Sequence, residues 1–279
     1  MPTITTHEPA PTRLYVTDTG GDGTPVVLIH GWPLSGAAFA SNRGALRAAG
    51  YRVITYDRRG FGQSGRGGSY DYDTFAADLH TVMTELNLQG AVIVGFSMGG
   101  GEVARYCARY GTGALVGVVL SGSICPALCI TPDNPDGAMP PSGFEEIAQS
   151  CRTDFPAFAT QFVTWYFSNE QGLCVSEQEH AAAVSIALQA DPQAAAQAAL
   201  AWATDLREDC RSIDVPALIL HGTEDRNVPL AASSARVGEF IPDSRLVTID
   251  GGPHGLNVSH RQQWEGALID FLDGLARSE

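Results

Sequence analysis

The sequence predicts an α/β protein with a doubly wound, mostly parallel sheet. Three observations predict it. Apolar, β-branched runs recur along the chain, helix-patterned segments alternate with them, and one strand-to-helix junction carries G-x-S-x-G. In chain order, residues 13–19 (R-L-Y-V-T-D-T) read as an antiparallel leading strand closed by the turn Gly20-Gly21-Asp22-Gly23. Residues 25–30, 51–57, 91–97, 115–121, 216–221 and 245–250 read as strands. Their near-continuous apolar character means that both faces are covered, as in a parallel sheet. Helix patterns fall at about 36–48, 74–86, 98–110, 230–240 and 260–276.

The alternation stops after Ser123 and resumes near Asp214. The interval opens with a Pro/Gly/Asp-rich stretch, 126–143, and continues with the aromatic segment 155–167 and the Ala-rich segment 193–202. Residues 1–122 and 213–279 are therefore expected to form the core, and 123–212 a helical cap. Ligands in open α/β sheets bind outside the carboxyl ends of the strands, where such an insertion would lie.

Composition narrows the function classes. With 17 Lys+Arg against 31 Asp+Glu, the net charge of -14 repels phosphate backbones, which argues against nucleic-acid binding. No apolar run approaches the length of a membrane span, so no membrane association is expected. The first residues, M-P-T-I-T-T-H-E-P, lack a basic and apolar leader pattern, so a cytoplasmic location is the default expectation. The six cysteines match no zinc spacing and read as free thiols, with a disulfide among Cys125, Cys129 and Cys151 left open.

Gly95-Phe96-Ser97-Met98-Gly99 satisfies G-x-S-x-G between an apolar strand and a helix, which is the context the motif requires. Ser97 is the candidate nucleophile. A serine hydroxyl needs a base to take its proton. Of seven histidines (His7, His30, His80, His180, His221, His254 and His260), only His254 sits on a Gly/Pro loop directly after the last strand; His260 is the weaker candidate. The orienting acid should follow an earlier strand, and Glu224 and Asp225 both lie on the loop after 216–221. Asp225 is preferred, with Glu224 as a solvated loop charge. The developing oxyanion needs donors, and the backbone N–H groups of Met98 and Trp32 are the candidates, since Pro33 has none. His30 reads as a hydrogen-bonded structural histidine, and Asp57 to Ser64 as a loop tied by Arg–Asp hydrogen bonds. With no H-E-x-x-H, P-loop or G-x-G-x-x-G at the first βα turn, no metal or cofactor is expected.

Taken together, H-G-W-P-L-S (30–35), Y-D-R-R-G-F-G-Q-S (56–64), G-F-S-M-G-G-G-E-V-A-R-Y (95–106), D-N-P-D-G (133–137), H-G-T-E-D-R-N-V-P (221–229) and G-P-H-G-L (252–256) resemble the cofactor-free, non-haem haloperoxidases. These belong to the α/β-hydrolase superfamily and are similar to arylesterases and perhydrolases. The resemblance spans about 13–275. It implies the α/β-hydrolase fold, with a mostly parallel eight-stranded sheet and a helical cap. It also implies a triad of Ser97, Asp225 and His254, an oxyanion hole at Trp32 and Met98, and a homo-oligomer.

The chemistry it implies is cleavage of small carboxylic esters through an acyl-enzyme. A carboxylic acid plus peroxide would give a peracid that oxidises halide. The expected apolar pocket comprises Trp32, Phe96, Met98, Ile124, Phe158, Phe162, Trp165, Val228 and Leu256. A lactonase or carbon–carbon bond hydrolase using the same triad is the alternative, and a ligand-binding protein on a hydrolase scaffold is the non-enzymatic one. Haloalkane dehalogenases and epoxide hydrolases are disfavoured, because they place aspartate where Ser97 stands.

Overall fold

The computed structural model describes residues 3–6 and 10–277. His7, the N-terminal leader reading and the outermost ends of the expected core range involve residues outside these. In chain order the strands and helices are β1 (Thr3–Thr6), β2 (Thr12–Asp18), β3 (Pro25–Ile29), α1 (Arg43–Ala48), β4 (Arg52–Tyr56), α2 (Tyr72–Glu85), β5 (Ala91–Phe96), α3 (Met98–Tyr110) and β6 (Leu115–Ser121). Then come α4 (Pro141–Tyr166), β7 (Ser168–Asn169), β8 (Gly172–Leu173), α5 (Glu177–Ala187), α6 (Pro192–Ala201), α7 (Arg207–Arg211), β9 (Ala217–Gly222), β10 (Ser244–Ile249), α8 (Leu256–Ser259) and α9 (Arg261–Ala276).

Eight strands form one sheet in the order β1-β2-β4-β3-β5-β6-β9-β10. β2 runs antiparallel to both β1 and β4, and every other pairing is parallel. This is the α/β-hydrolase fold. Every residue of β5 is buried, as are Val26 to Ile29 of β3, so helices cover both faces. α2 and α3 pack together on one part of the sheet, and α9 packs against α1, β9 and β10. The indole N–H of Trp264 on α9 donates to Ser121 Oγ at the end of β6 (2.9 Å), tying the last helix to the sheet centre.

The structure departs from the sequence reading in four places. The expected helix over 36–48 is a 3-10 turn, Gly36–Phe39, followed by α1. Residues 230–240 form two 3-10 turns separated by Ser233, whose backbone (φ -133°, ψ -103°) is not helical. β10, at the sheet edge, is not covered on both faces: only Ile249 of it is buried, and Leu246 is 42% exposed. The short strand β1 was not expected; T-I-T-T is only four residues and pairs on one side. All six cysteines are free, which removes the disulfide left open among Cys125, Cys129 and Cys151.

Between β6 and β9 lie α4 to α7. α4 bends at Asp154 (φ -153°, ψ 80°). Asp154 caps the second arm by accepting the Ala157 N–H (3.1 Å), and Pro156, which has no N–H to satisfy, falls in that arm's first turn. α6 packs along α4, and its Ala195 carbonyl accepts the indole N–H of Trp32 (3.0 Å). Among the described residues, no helix is long and apolar enough to cross a membrane.

Candidate active site

Ser97 stands at the junction of β5 and α3 with φ 56° and ψ -119°. Such a conformation costs a non-glycine residue about 1–3 kcal/mol and persists only where its surroundings over-determine it. Here the Ser97 N–H donates to Ser121 O on β6 (2.8 Å), and the Ser97 carbonyl accepts the Gly100 N–H (3.0 Å). A Cβ at Gly95 would lie 2.4 Å from the Gly99 carbonyl oxygen, and one at Gly99 would lie 2.7 Å from that of Ile29. The strand and helix can close this tightly only with glycine at both positions. The result is a serine at the carboxyl end of the sheet, 7% exposed.

The three side chains singled out in the sequence meet there. Ser97 Oγ donates to His254 Nε2 (2.8 Å), and His254 Nδ1 donates to Asp225 Oδ2 (2.6 Å). Asp225 Oδ1 accepts the backbone N–H groups of Asn227 (3.0 Å) and Val228 (2.8 Å). Burial alone would raise the Asp225 carboxyl. The His254 charge and hydrogen bonds from His221 and His254 outweigh it and hold Asp225 well below the usual carboxylate range. Glu224, on the same loop, instead accepts the Glu170 N–H (2.9 Å), and His260 bonds Ser259 Oγ (3.0 Å). Neither joins the Ser97–His254–Asp225 chain.

The Met98 and Trp32 N–H groups have no protein acceptor among the described residues. The Gly31–Trp32 peptide is held by its other end. The Gly31 carbonyl accepts from Leu34 N–H (3.1 Å) and from His30 Nδ1 (2.9 Å), so the Trp32 N–H faces the opposite way. His30 Nε2 accepts the Arg58 N–H (3.0 Å), which fixes the tautomer. Burial and the Arg58 charge hold His30 well below the ordinary imidazole range. Arg58 in turn donates to the His30 carbonyl (2.9 Å) and to Glu102 (2.7 Å), and Tyr56 also bonds Glu102. Arg59 pairs with Asp78 (2.6 Å), while Asp57 accepts the N–H groups of Gly36 and Gln63 (both 2.8 Å). The charged loop 57–64 is thus a brace beneath the Gly31–Trp32 turn.

Phe158, Phe162 and Trp165 line a cavity of about 530 Å³ between the two arms of α4, floored by Arg226 and Asn227 beside Asp225. The arm before the bend at Asp154 adds Gly143, Glu146, Ile147 and Ser150 to the lining, with Met139 just ahead of the helix. Phe162 packs edge-on against the Trp32 ring (centroids 4.6 Å). Phe96, Ile124, Val228 and Leu256 are buried and lie outside that lining. Phe96 packs against His254 (5.5 Å), and the Ile124 N–H faces the Ser97 carbonyl (3.4 Å).

Two neighbours of the Ser97–His254–Asp225 chain are not singled out in the sequence reading. Tyr166, at the end of α4, presents its ring at 90° to the His254 ring, 4.9 Å away. Only the path of α4 brings it there, so no local pattern signals it. His221 lies under Asp225, with Nε2 3.2 Å from Oδ2. Its signal was the i, i+4 spacing to Asp225 across the end of β9, read only as a strand terminus.

Comparison with known proteins agrees with this architecture. The family model described as alpha/beta hydrolase fold matches residues 24–260. A non-heme chloroperoxidase of Kitasatospora aureofaciens is 35% identical over 278 residues, covering 98% of this chain and 100% of the relative. A bifunctional esterase/perhydrolase of Acinetobacter calcoaceticus is 32% identical over 264 residues, covering 93% and 95%. The crystal structure of a bromoperoxidase from Bacillus anthracis superposes with a TM-score of 0.93 at 42% identity, over 98% of this chain and 99% of that one. With its elbow, its strand order and these relatives, the chain belongs to the α/β-hydrolase fold family, among the enzymes of the non-heme haloperoxidase and esterase/perhydrolase group.

Proposed function

We propose that the chain is a carboxylic-ester hydrolase that works through an acyl-enzyme on Ser97 and passes the acyl group to water or to hydrogen peroxide. The observation that carries this reading is the continuous hydrogen-bond chain from Ser97 Oγ through His254 to Asp225 (2.8 and 2.6 Å), beside two uncommitted backbone N–H groups. Ser97 attacks the ester carbonyl as His254 Nε2 takes its proton. Asp225 holds the imidazole in the required tautomer and balances the imidazolium. The N–H groups of Trp32 and Met98 receive the developing oxyanion. His254 then returns the proton to the leaving alkoxide.

In the second half-reaction His254 deprotonates water, releasing the acid, or hydrogen peroxide, releasing the peracid. The peracid can oxidise halide in solution, giving hypohalous acid and the parent carboxylic acid. The names of the chloroperoxidase, bromoperoxidase and esterase/perhydrolase relatives support this pair of outcomes. Residues 123–212 act as the cap, and the cavity between the arms of α4 accepts an apolar part of the substrate.

The test is hydrolysis of an aryl acetate, and peracid formation from acetate and peroxide, by the wild type and Ser97→Ala. Both activities should fall by about 10³-fold or more in the variant. Unchanged turnover would sink the mechanism. A panel of lactones and diketones, turned over in preference to esters, would instead favour the same triad acting on another bond.

A further inference from the structure

His221 is wholly buried near the end of β9, preceded by the apolar run Leu218, Ile219 and Leu220. An imidazole in such a place costs free energy unless its nitrogens are bonded. Nε2 lies 2.8 Å from the Val228 carbonyl oxygen and 3.2 Å from Asp225 Oδ2; Nδ1 lies 2.7 Å from Ser234 Oγ. Both neighbours of Nε2 are acceptors only, so Nε2 carries a hydrogen whatever the charge on the ring. That hydrogen is bonded to the carbonyl that shapes the acid loop, and Nε2 also stands against the same carboxylate oxygen that receives His254 Nδ1–H. Asp225 is therefore held by three hydrogen-bond donors, two backbone amides on Oδ1 and His254 on Oδ2, with the His221 N–H edge 3.2 Å from Oδ2 as a further polar neighbour.

We propose that His221 is a positioning residue for the triad: its Nε2–H fixes the line from Asp225 Oδ2 to His254 and draws off part of the carboxylate's charge. This rests on the assignment of Ser97, His254 and Asp225 above. A merely structural histidine would need only the Val228 and Ser234 contacts; the contact with Oδ2 adds an electrostatic consequence. Without the His221 N–H dipole beside Oδ2, the Asp225 charge falls more fully on His254 and makes it a stronger base. The other groups facing the pair are Ser97 from the elbow and Tyr166 from α4. Burial and the Asp225 charge keep the Tyr166 hydroxyl protonated throughout the working range.

The experiment compares wild type, His221→Leu, His221→Gln and Asp225→Asn in aryl-acetate hydrolysis across pH. For His221→Leu, kcat should fall about tenfold with KM within about twofold. The acid limb of kcat/KM should move up by about half a pH unit. His221→Gln, which restores an N–H donor, should recover part of both. If His221→Leu keeps the wild-type kcat and acid limb while Asp225→Asn is inactive, the role of His221 is refuted and the triad stands. If Asp225→Asn is as active as wild type, the triad itself is refuted. Should His221→Leu fail to fold, nitrogen-15 spectra of the wild-type imidazoles decide. The neutral ring of His221 must carry its hydrogen on Nε2, and a hydrogen on Nδ1 alone overturns the proposal.

Discussion

Tyr166 stands perpendicular to His254, ring centroids 4.9 Å apart, and its carbonyl accepts the N–H of Gly255, the residue after that histidine, at 2.7 Å. One end of α4 is thus fastened both to the imidazole face and to the loop that carries it. The Tyr166 hydroxyl has no hydrogen-bond partner among the described residues, so the ring is what matters. Tyr166→Phe should keep turnover and stability. Tyr166→Ala should leave a cavity costing about 3–5 kcal/mol and lower kcat. Urea unfolding and aryl-acetate kinetics on the pair check this, and equal losses in both variants would assign the effect to the hydroxyl.

His30 predicts a pH dependence. Its folded-state pKa is depressed by burial and by Arg58, while in the unfolded chain it titrates near its ordinary value. Its contribution to stability is therefore fully present above about pH 6.5. It is lost as pH falls, because the unfolded chain then binds a proton that the native state does not. The slope reaches at most about 1.4 kcal/mol per pH unit. Denaturant midpoints measured from neutral to mildly acid pH should fall less steeply for His30→Gln than for wild type; parallel curves would contradict the assignment.

The Arg58–Glu102 pair, with both side chains fully buried, predicts an asymmetric mutational response. Glu102→Ala leaves the Arg58 guanidinium buried without its partner and should cost about 3–5 kcal/mol. Because Arg58 also holds the His30 carbonyl, the variant should lose activity at temperatures where it is still folded. A variant with wild-type stability in urea would show that the pair is dispensable.

Trp165 is 46% exposed and lines the cavity between the arms of α4. Trp165→Ala should change stability by less than about 1 kcal/mol. It should raise KM for naphthyl or long-chain esters severalfold, leaving small acetate esters unaffected. A uniform effect on both substrate sizes would place the binding subsite elsewhere.

The parts of the site that were legible in the sequence are those made by consecutive residues. The elbow around Ser97 is dictated by clashes between neighbouring turns, so its glycines are visible as a motif. His254 declares itself by following the last strand on a Gly/Pro loop. Asp225 and Glu224 differ only in where the loop aims them, and the bonds from Asn227 and Val228 are needed to see that. Tyr166 was invisible because its position depends on the bend at Asp154 and on the packing of a 26-residue helix. Residues 230–240 show the opposite failure. Their apolar spacing suits a helix, but Ser233 departs from helical geometry, and its Oγ bonds the Pro229 carbonyl at 2.8 Å.

The bend at Asp154 divides the demands on a single helix. The arm after it carries Tyr166 to the His254 ring and also sets Phe158, Phe162 and Trp165 in the cavity lining. The arm before it contributes cavity wall, and among the described residues none of that arm hydrogen-bonds to Ser97, His254 or Asp225. Substitutions between Gly143 and Ser150 would therefore reshape the cavity without removing a hydrogen bond of Ser97, His254 or Asp225. The hinge thus lets one arm be recut while the other stays anchored at His254.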